Sequence, residues 1–215
     1  MPTTTKPNTK KRQKAESREK LLDAVEATIR DEGPGAVTTV KVTKKAGFAQ
    51  SAFYLHFDNV DHCLRCAGER IATSIRTAVV KERRRMQSEA LGDFDAELGF
   101  YHFVLGIFDD RWVANIILKN RHDASPLGKV IGELIIGLRE DLAEDMWNVA
   151  QSFDIDEKYR PRFDILSDFL LANSLAAGEA LLDRRVTNRE MLASQLTMTM
   201  KAACEDLFKF CNGGK

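Results

Sequence analysis

No stretch of the 215-residue sequence approaches the ~20 consecutive apolar residues that a membrane-spanning helix needs, and no signal-peptide hydrophobic segment opens it. On that reading there is no membrane partner and the chain belongs in the cytoplasm. An excess of one charge is also missing. Lysine plus arginine and aspartate plus glutamate number 32 each, so net charge points to no class of partner. Cysteines are few: Cys63, Cys66, Cys204 and Cys211 are compatible with reduced thiols. Cys63-x-x-Cys66 beside His62 lacks both a second ligand pair at zinc spacing and a βαβ setting, so it reads as packing thiols. The four histidines (His56, His62, His102, His122) form no metal motif, and neither G-x-S-x-G nor a phosphate loop is present. Paired acids such as Glu140-Asp141 and Glu144-Asp145 suit a helix's wet face better than a catalytic site. The chain reads as no enzyme, with no cofactor and no metal. Strand signals are nearly absent and no internal repeat is visible, which leaves an all-α protein.

What the sequence does hold is asymmetry. Residues 1–50 carry 11 basic and 6 acidic side chains, leaving 21 and 26 for the rest. A basic head on an acidic body suits a protein that meets nucleic acid at one end only. Residues 1–14 have no apolar periodicity and read as a flexible basic arm. There Lys10, Lys11, Arg12 and Lys14 can follow a phosphate backbone, or serve only solubility. From Ser17 the pattern turns helical: Leu21, Leu22, Val25 and Ile29 recur at helix spacing until Glu32-Gly33-Pro34-Gly35.

The stretch Thr38 to Phe57, TTVKVTKKAGFAQSAFYLHF, reads as two short helices meeting at Gly47. Thr38 is placed to cap the first, in which Val40 and Val42 supply apolar positions. Gly47 can take the positive φ of a sharp helix-to-helix turn, and Ala46 is small enough for close approach. Phe53 and Phe57, four apart, bury one face of the second helix and leave Gln50, Ser51, Ala52 and Tyr54 outward. Such side chains can reach base edges and phosphates in a major groove, although an ordinary surface hairpin has the same spacing.

Thr38…Ala46-Gly47-Phe48…Phe53-Tyr54-x-His56-Phe57 closely resembles the DNA-binding motif of the tetracycline-repressor (TetR) family of bacterial transcriptional regulators. Ala46-Gly47 and Tyr54-x-His56-Phe57 match that pattern outright; Val42, Thr43 and Phe48 replace its usual Ile, Ala and Val. Ala49 stands where a Ser usually caps the recognition helix, at a cost of about 1 kcal/mol. Val60 stands where a Lys usually touches phosphate. The resemblance implies an N-terminal three-helix DNA-binding domain with a helix-turn-helix (residues 15–60) and a larger helical ligand-binding and dimerisation domain (61–215). It implies Gln50 and Ser51, with Ala52 beside them, for base readout, and Thr38, Lys44, Lys45, Tyr54 and His56 for phosphate contacts. His56 has a second reading, as a residue that caps or packs the module. Leu55 is either partly buried or set to touch a thymine methyl.

Beyond the hairpin, Asn59 is a cap for a long helix from Val60 to about Glu89, with Leu64, Ala67, Ile71, Ile75, Ala78 and Met86 as its stripe. At 1.5 Å per residue that is about 45 Å, long enough to connect head and body. Arg83-Arg84-Arg85 reads as its solvated face or as a complement to its dipole. Leu91-Gly92-Asp93 breaks the pattern. Phe94–Phe108, Trp112–Asn120 and Leu127–Ala150 follow at helical spacing, the last opened by Ser125-Pro126. Their aromatics, Phe100, Phe103, Phe108, Trp112 and Trp147 with Phe153, form either ordinary core or the wall of a ligand pocket. Tyr101, His102 and His122 would be its polar points.

The last two helices, Arg162–Asp183 and Met191–Phe210, are apolar on more than one face. Phe163, Leu166, Leu170 and Ala177 mark one side of the first; Ile165, Phe169, Ala172 and Ala176 mark another. They are either buried inside one subunit or paired with their copies. The resemblance favours pairing, with Phe169, Ala172, Ala176, Ala180, Met198 and Ala202 in a four-helix homodimer interface. It thus implies a dimeric repressor that binds a palindromic double-stranded DNA operator and is released by a small apolar or amphipathic effector. The alternative is a helical adaptor for other proteins with a degenerate DNA-binding head.

Overall fold

The structure of the chain, a computed structural model, describes residues 9–88 and 94–213. Every regular element among them is helical: α1 (Thr9–Glu32), α2 (Thr39–Ala46), α3 (Ser51–Tyr54), α4 (Val60–Ser88), α5 (Phe94–Ile107), α6 (Arg111–Asn120), α7 (Pro126–Gln151), α8 (Arg160–Leu182) and α9 (Arg189–Asn212). Two 3-10 turns, Pro34–Ala36 and Glu157–Tyr159, complete the path. The all-α class is therefore as expected. The break at Leu91-Gly92-Asp93, the start of the N-terminal arm and the side chain of Met86 lie outside the described residues.

Helix starts are set by short polar side chains that take up free N–H groups of the first turn. Thr38 Oγ1 accepts from Lys41 N–H at 3.2 Å and Asn59 Oδ1 from His62 N–H at 2.8 Å. Ser125 Oγ accepts from Gly128 N–H at 3.1 Å, immediately before Pro126. Asp110 and Asn188 do the same for α6 and α9, each at 2.9 Å. The arm expected over 1–14 differs: it is already helical from Thr9. Lys10, Lys11, Gln13 and Lys14 are good helix formers without Gly or Pro among them, and Arg12 pairs with Glu16 one turn on at 2.8 Å.

The chain divides into two compact units, one running to Ile71 with Ala124–Val130, the other Ala72–Asp123 with Ile131–Lys215. The first is larger than the expected 15–60. Its core, built on Leu21, Leu22, Val25, Ile29, Phe53 and Phe57, is continued by Cys63, Leu64, Ala67 and Ile71 of α4 and by Leu127 and Val130 of α7. Three carboxylates of α1 hold one arginine of α4. Arg70 reaches Glu26 at 2.7 Å, Asp23 at 2.8 Å and Glu19 at 3.0 Å. Cys63 is fully buried and burial pushes its thiol up to about 12, so it packs and stays protonated.

In the second unit α8 packs its Phe163, Leu166, Leu170 and Ala177 inward, as the spacing predicts. One cluster joins Tyr101 and Leu105 of α5 to Ala177 of α8 and to Ala193 and Leu196 of α9. Another joins Phe108, Ala114, Ile117, Leu118 and Leu182. Contrary to the reading that no segment could span a membrane, Glu157–Leu182 is long and apolar enough by length and composition. Two apolar faces on one helix produce that signal: one is buried in the unit, the other exposed. Ion pairs tie the remaining helices together. Arg121 meets Glu179 at 2.7 Å, and Arg189 meets Asp109 and the His102 carbonyl.

Gly178 lets the Phe108 ring rest on α8: a Cβ there would lie 2.8 Å from three ring atoms. Gly178→Ala should lower stability by about 1–3 kcal/mol through overpacking, read as a fall in the thermal midpoint. Gly35→Ala, where a Cβ meets nothing within 4 Å, should stay within about 0.5 kcal/mol of the parent.

Candidate nucleic-acid interface and ligand cavity

Helix α2 ends on Gly47 at φ 74° and ψ 30°, a left-handed conformation that costs other residues roughly 1–2 kcal/mol. Phe48 N–H returns to Thr43 C=O at 2.9 Å and Gly47 N–H to Lys44 C=O at 3.3 Å, the paired closure of a Schellman turn. The chain then enters α3, a single turn from Ser51 to Tyr54. No side chain caps it at Gln50. With Ala49 in place of a Ser, no hydroxyl holds the free N–H groups there. Phe53 and Phe57 are fully buried, their rings 5.3 Å apart.

The outward side chains are those expected, with additions. Gln50 and Ser51 are exposed and Ala52 half-buried. Tyr54 is 58 % and Leu55 69 % exposed, so Leu55 is free for apolar contact. Gln50 Nε2 donates to Thr39 Oγ1 at 3.1 Å, which brings the entrance of α3 against the first turn of α2, where Thr38 is exposed. Val40, an apolar position of α2, is exposed. Two positions apart on a helix, it stands about 200° from the buried Val42. Val40 and Thr39 thus join the surface, and only a helical projection centred on Val42 would have found them. Lys44 is exposed, whereas Lys45 is held by Asp31 at 2.5 Å and Lys41 by Glu32 at 2.7 Å.

His56 faces inward more than out. Its Nε2 lies 2.9 Å from Ser17 Oγ of α1, and Nδ1 is buried with no hydrogen bond among the described residues. Burial, and then the charges of Lys14 and Arg18, hold its pKa below the ordinary 6.5. That geometry matches the packing reading of His56.

The second unit encloses a cavity of about 100 Å³. From α5 it takes Phe100, Tyr101, Val104 and Ile107, with Phe108 just beyond its end; from α7 Leu134, Ile135, Leu138 and Leu142; from α8 Leu170, Leu171, Ser174 and Leu175. Of the expected wall, Phe100, Tyr101 and Phe108 are in place. Phe103, Trp112, His122 and Trp147 are not part of it. Trp147 follows Leu138 by nine positions, half a turn round α7, and packs instead edge-on to Phe163 at 5.6 Å. Trp112 is five positions before Ile117, the α6 residue that does line the cavity, and so points elsewhere. His122 is exposed beyond the end of α6, and Phe153 is exposed against Phe208.

Helix α4 supplies the part of the wall that sequence reasoning missed: Ile75, Val79 and Arg83. Four-residue steps put all three on one face. Arg83 was expected on a solvated face with its neighbours; it is instead 6 % exposed, pairing through Nε with Asp145 of α7. Arg84 and Arg85 are the exposed ones. The signal was the phase of the run, not its charge.

Of the expected dimer residues, Phe169 (64 % exposed), Met198 (54 %), Ala172, Ala176 and Ala202 all lie on the surface of the second unit. Ala180 does not. It is buried in its own subunit, eight positions and about 80° on from Ala172.

The depressed pKa of His56 gives stability a sign with pH. Below 6.5 the unfolded chain takes up a proton that the folded module refuses, so stability is lost as pH falls from 6.5 toward the folded-state value and is full above 6.5. His56→Gln should flatten that slope in denaturant unfolding followed from pH 7.5 to 5. The imidazole proton resonances of His56 should titrate with a midpoint below 6.5.

Comparison with known proteins agrees with this architecture. Residues 21–65 match the family model described as bacterial regulatory proteins, tetR family. No curated protein sequence matches the chain. Among solved structures, the transcriptional regulator FadR from Bacillus subtilis, in complex with stearoyl-CoA, superimposes with a TM-score of 0.64 at 16 % identity, over 86 % of this chain and 98 % of that one. Reduced NemR from E. coli gives 0.65 at 16 %, over 86 % and 96 %. A TetR-family transcriptional regulator from Streptomyces coelicolor gives 0.64 at 14 %, over 90 % and 96 %. The helix-turn-helix segment thus matches the tetR-family model in sequence, and the chain shares the fold of TetR-family transcriptional regulators along most of its length.

Proposed function

We propose that the protein is a cytoplasmic homodimeric repressor that binds a palindromic operator and leaves it when a small apolar or amphipathic effector enters the cavity. The observation that carries the DNA half is the turn at Gly47. It sends Phe53 and Phe57 inward and leaves Gln50, Ser51, Tyr54 and Leu55 outward together. Gln50 and Ser51 read base edges, with Ala52 and Leu55 available to a thymine methyl. Thr38, Tyr54 and Lys44 position the backbone. Lys45 contributes less charge, because Asp31 shares it, and His56 supports the module from behind.

The exposed apolar stripe of Ile165, Phe169, Ala172 and Ala176 on α8, with Met198 and Ala202 on α9, supports a second copy as occupant. Small residues allow close helix approach and two-fold pairing places two reading heads on two half-sites. On the effector side, the B. subtilis FadR was solved with stearoyl-CoA, and an apolar cavity in the second unit supports a ligand of apolar character here. Helices α4 and α7 both line that cavity and both continue into the first unit, so a ligand acts on elements the two units share. A coupling of about 1–3 kcal/mol would change operator affinity roughly 5–150-fold.

Selection of bound sequences from a random duplex pool tests the reading. A two-fold symmetric motif is expected, and a motif without symmetry would count against the dimer. Gln50→Ala should relax preference at one position per half-site by about 1–3 kcal/mol, whereas Tyr54→Phe should weaken all sequences alike. Lys44→Ala should lower the log–log salt slope by about 0.9 per head. Phe169→Glu should yield monomers in sedimentation, with the helical content unchanged.

A further inference from the structure

The cavity wall is apolar except at Arg83, Tyr101 and Ser174. Ser174 Oγ donates its hydrogen to Leu170 C=O at 3.0 Å and so keeps only acceptor capacity toward the cavity. Arg83 is different. A guanidinium is always charged, and here it is nine-tenths buried beside Ile75, Val79, Leu138 and Leu142. Asp145 pairs with it, Oδ2 lying against Nε, and that carboxylate is itself partly open to solvent. Among the described residues the guanidinium forms no hydrogen bond, and its Nε is buried without one. A planar fork that lines an apolar cavity and lacks a hydrogen bond matches one ligand feature best, a carboxylate, whose two oxygens meet two parallel N–H groups. An amide or alcohol offers one neutral acceptor. An amine would face a cation.

Size narrows the rest. An engineered apolar cavity of roughly 150 Å³ holds benzene; this one, at about 100 Å³, is smaller. It suits a short aliphatic body and not an extended long chain.

Resting on the effector reading given above, we infer that the ligand is a small apolar monocarboxylate. Its carboxylate lies on the Nη1/Nη2 edge of Arg83 and its hydrocarbon lies among Val79, Val104, Leu138 and Leu170. The contact adds an acceptor to a guanidinium that already has one anionic partner, so Arg83 keeps Asp145 and no proton moves.

Calorimetric titration of the full chain with hexanoate, octanoate, stearate, octanamide, octan-1-ol and octylamine tests this directly, with operator release measured in parallel. Octanoate or hexanoate should bind at least tenfold more tightly than the amide and alcohol, and octylamine and stearate should bind more weakly still. Arg83→Met should erase the preference, cutting acid affinity at least tenfold while sparing the alcohol. Arg83→Lys should keep part of it, and Asp145→Asn, which leaves the arginine in place, should preserve it. Circular dichroism establishes that each variant is folded; should Arg83→Met not fold, the lysine and asparagine variants and the analogue series on the parent protein still decide. Equal binding of acid, amide and alcohol overturns the carboxylate inference while leaving the effector site standing if any of them releases DNA. Preferred acid binding without change in operator affinity does the reverse. Stearate as the best ligand, or no binding by any of the small acids, overturns the assignment of ligand class.

Discussion

The rotation between α2 and α3 is set at Gly47, and the surface of the N-terminal module follows from it. One turn of helix has no stability of its own: nucleating it costs more than a single turn returns. The side-chain cap that would help is missing, a loss of about 1 kcal/mol. Burying Phe53 and Phe57 completely contributes roughly 1.5–3 kcal/mol each. Tertiary burial therefore outweighs the absent cap, and α3 exists because its two rings are anchored. Those anchors also choose what remains outside. Side chains that meet a duplex are the complement of the pair that meets the core, and a left-handed residue is what allows both sets to coexist in so short a segment.

Much of this was legible from spacing. Thr38, Asn59 and Ser125 cap the helices they were expected to cap, and Phe163, Leu166, Leu170 and Ala177 of α8 turn inward as a group. Both follow from local rules, in which each residue's partner is a few positions away. Misreadings arose where the deciding partner was far off in sequence. Arg83, expected on a solvated face, faces Asp145 on another helix, and His56, left between two readings, faces Ser17, 39 positions earlier. Val40 shows a different effect, of phase: both valines are apolar, yet Val42 and Val40 cannot share a face, and only Val42 is buried. The aromatics behaved similarly. Large rings were taken as the cavity wall, yet most of the wall is aliphatic, because closely packed leucines and isoleucines on α7 and α8 occupy the facing positions.

Arg83 also separates stability from function. An exposed pair such as Arg76 with Asp141, joined at 2.8 and 3.0 Å, is screened by water and contributes little, roughly 0–1 kcal/mol. A buried pair is another matter. Removing charges from water costs several kcal/mol per ion, and well-packed apolar residues in the same place are often equal or better. The neighbours of Arg83 on the cavity face are Ile75 and Val79, so a leucine or methionine at 83, with Asp145 replaced by an apolar residue as well, would continue the stripe. Fold stability alone therefore gives no reason for a guanidinium at that point of α4. Its planar charge makes physical sense as a fixed feature of the cavity, held by Asp145 in advance of a ligand so that little reorganisation is needed when an anionic group arrives.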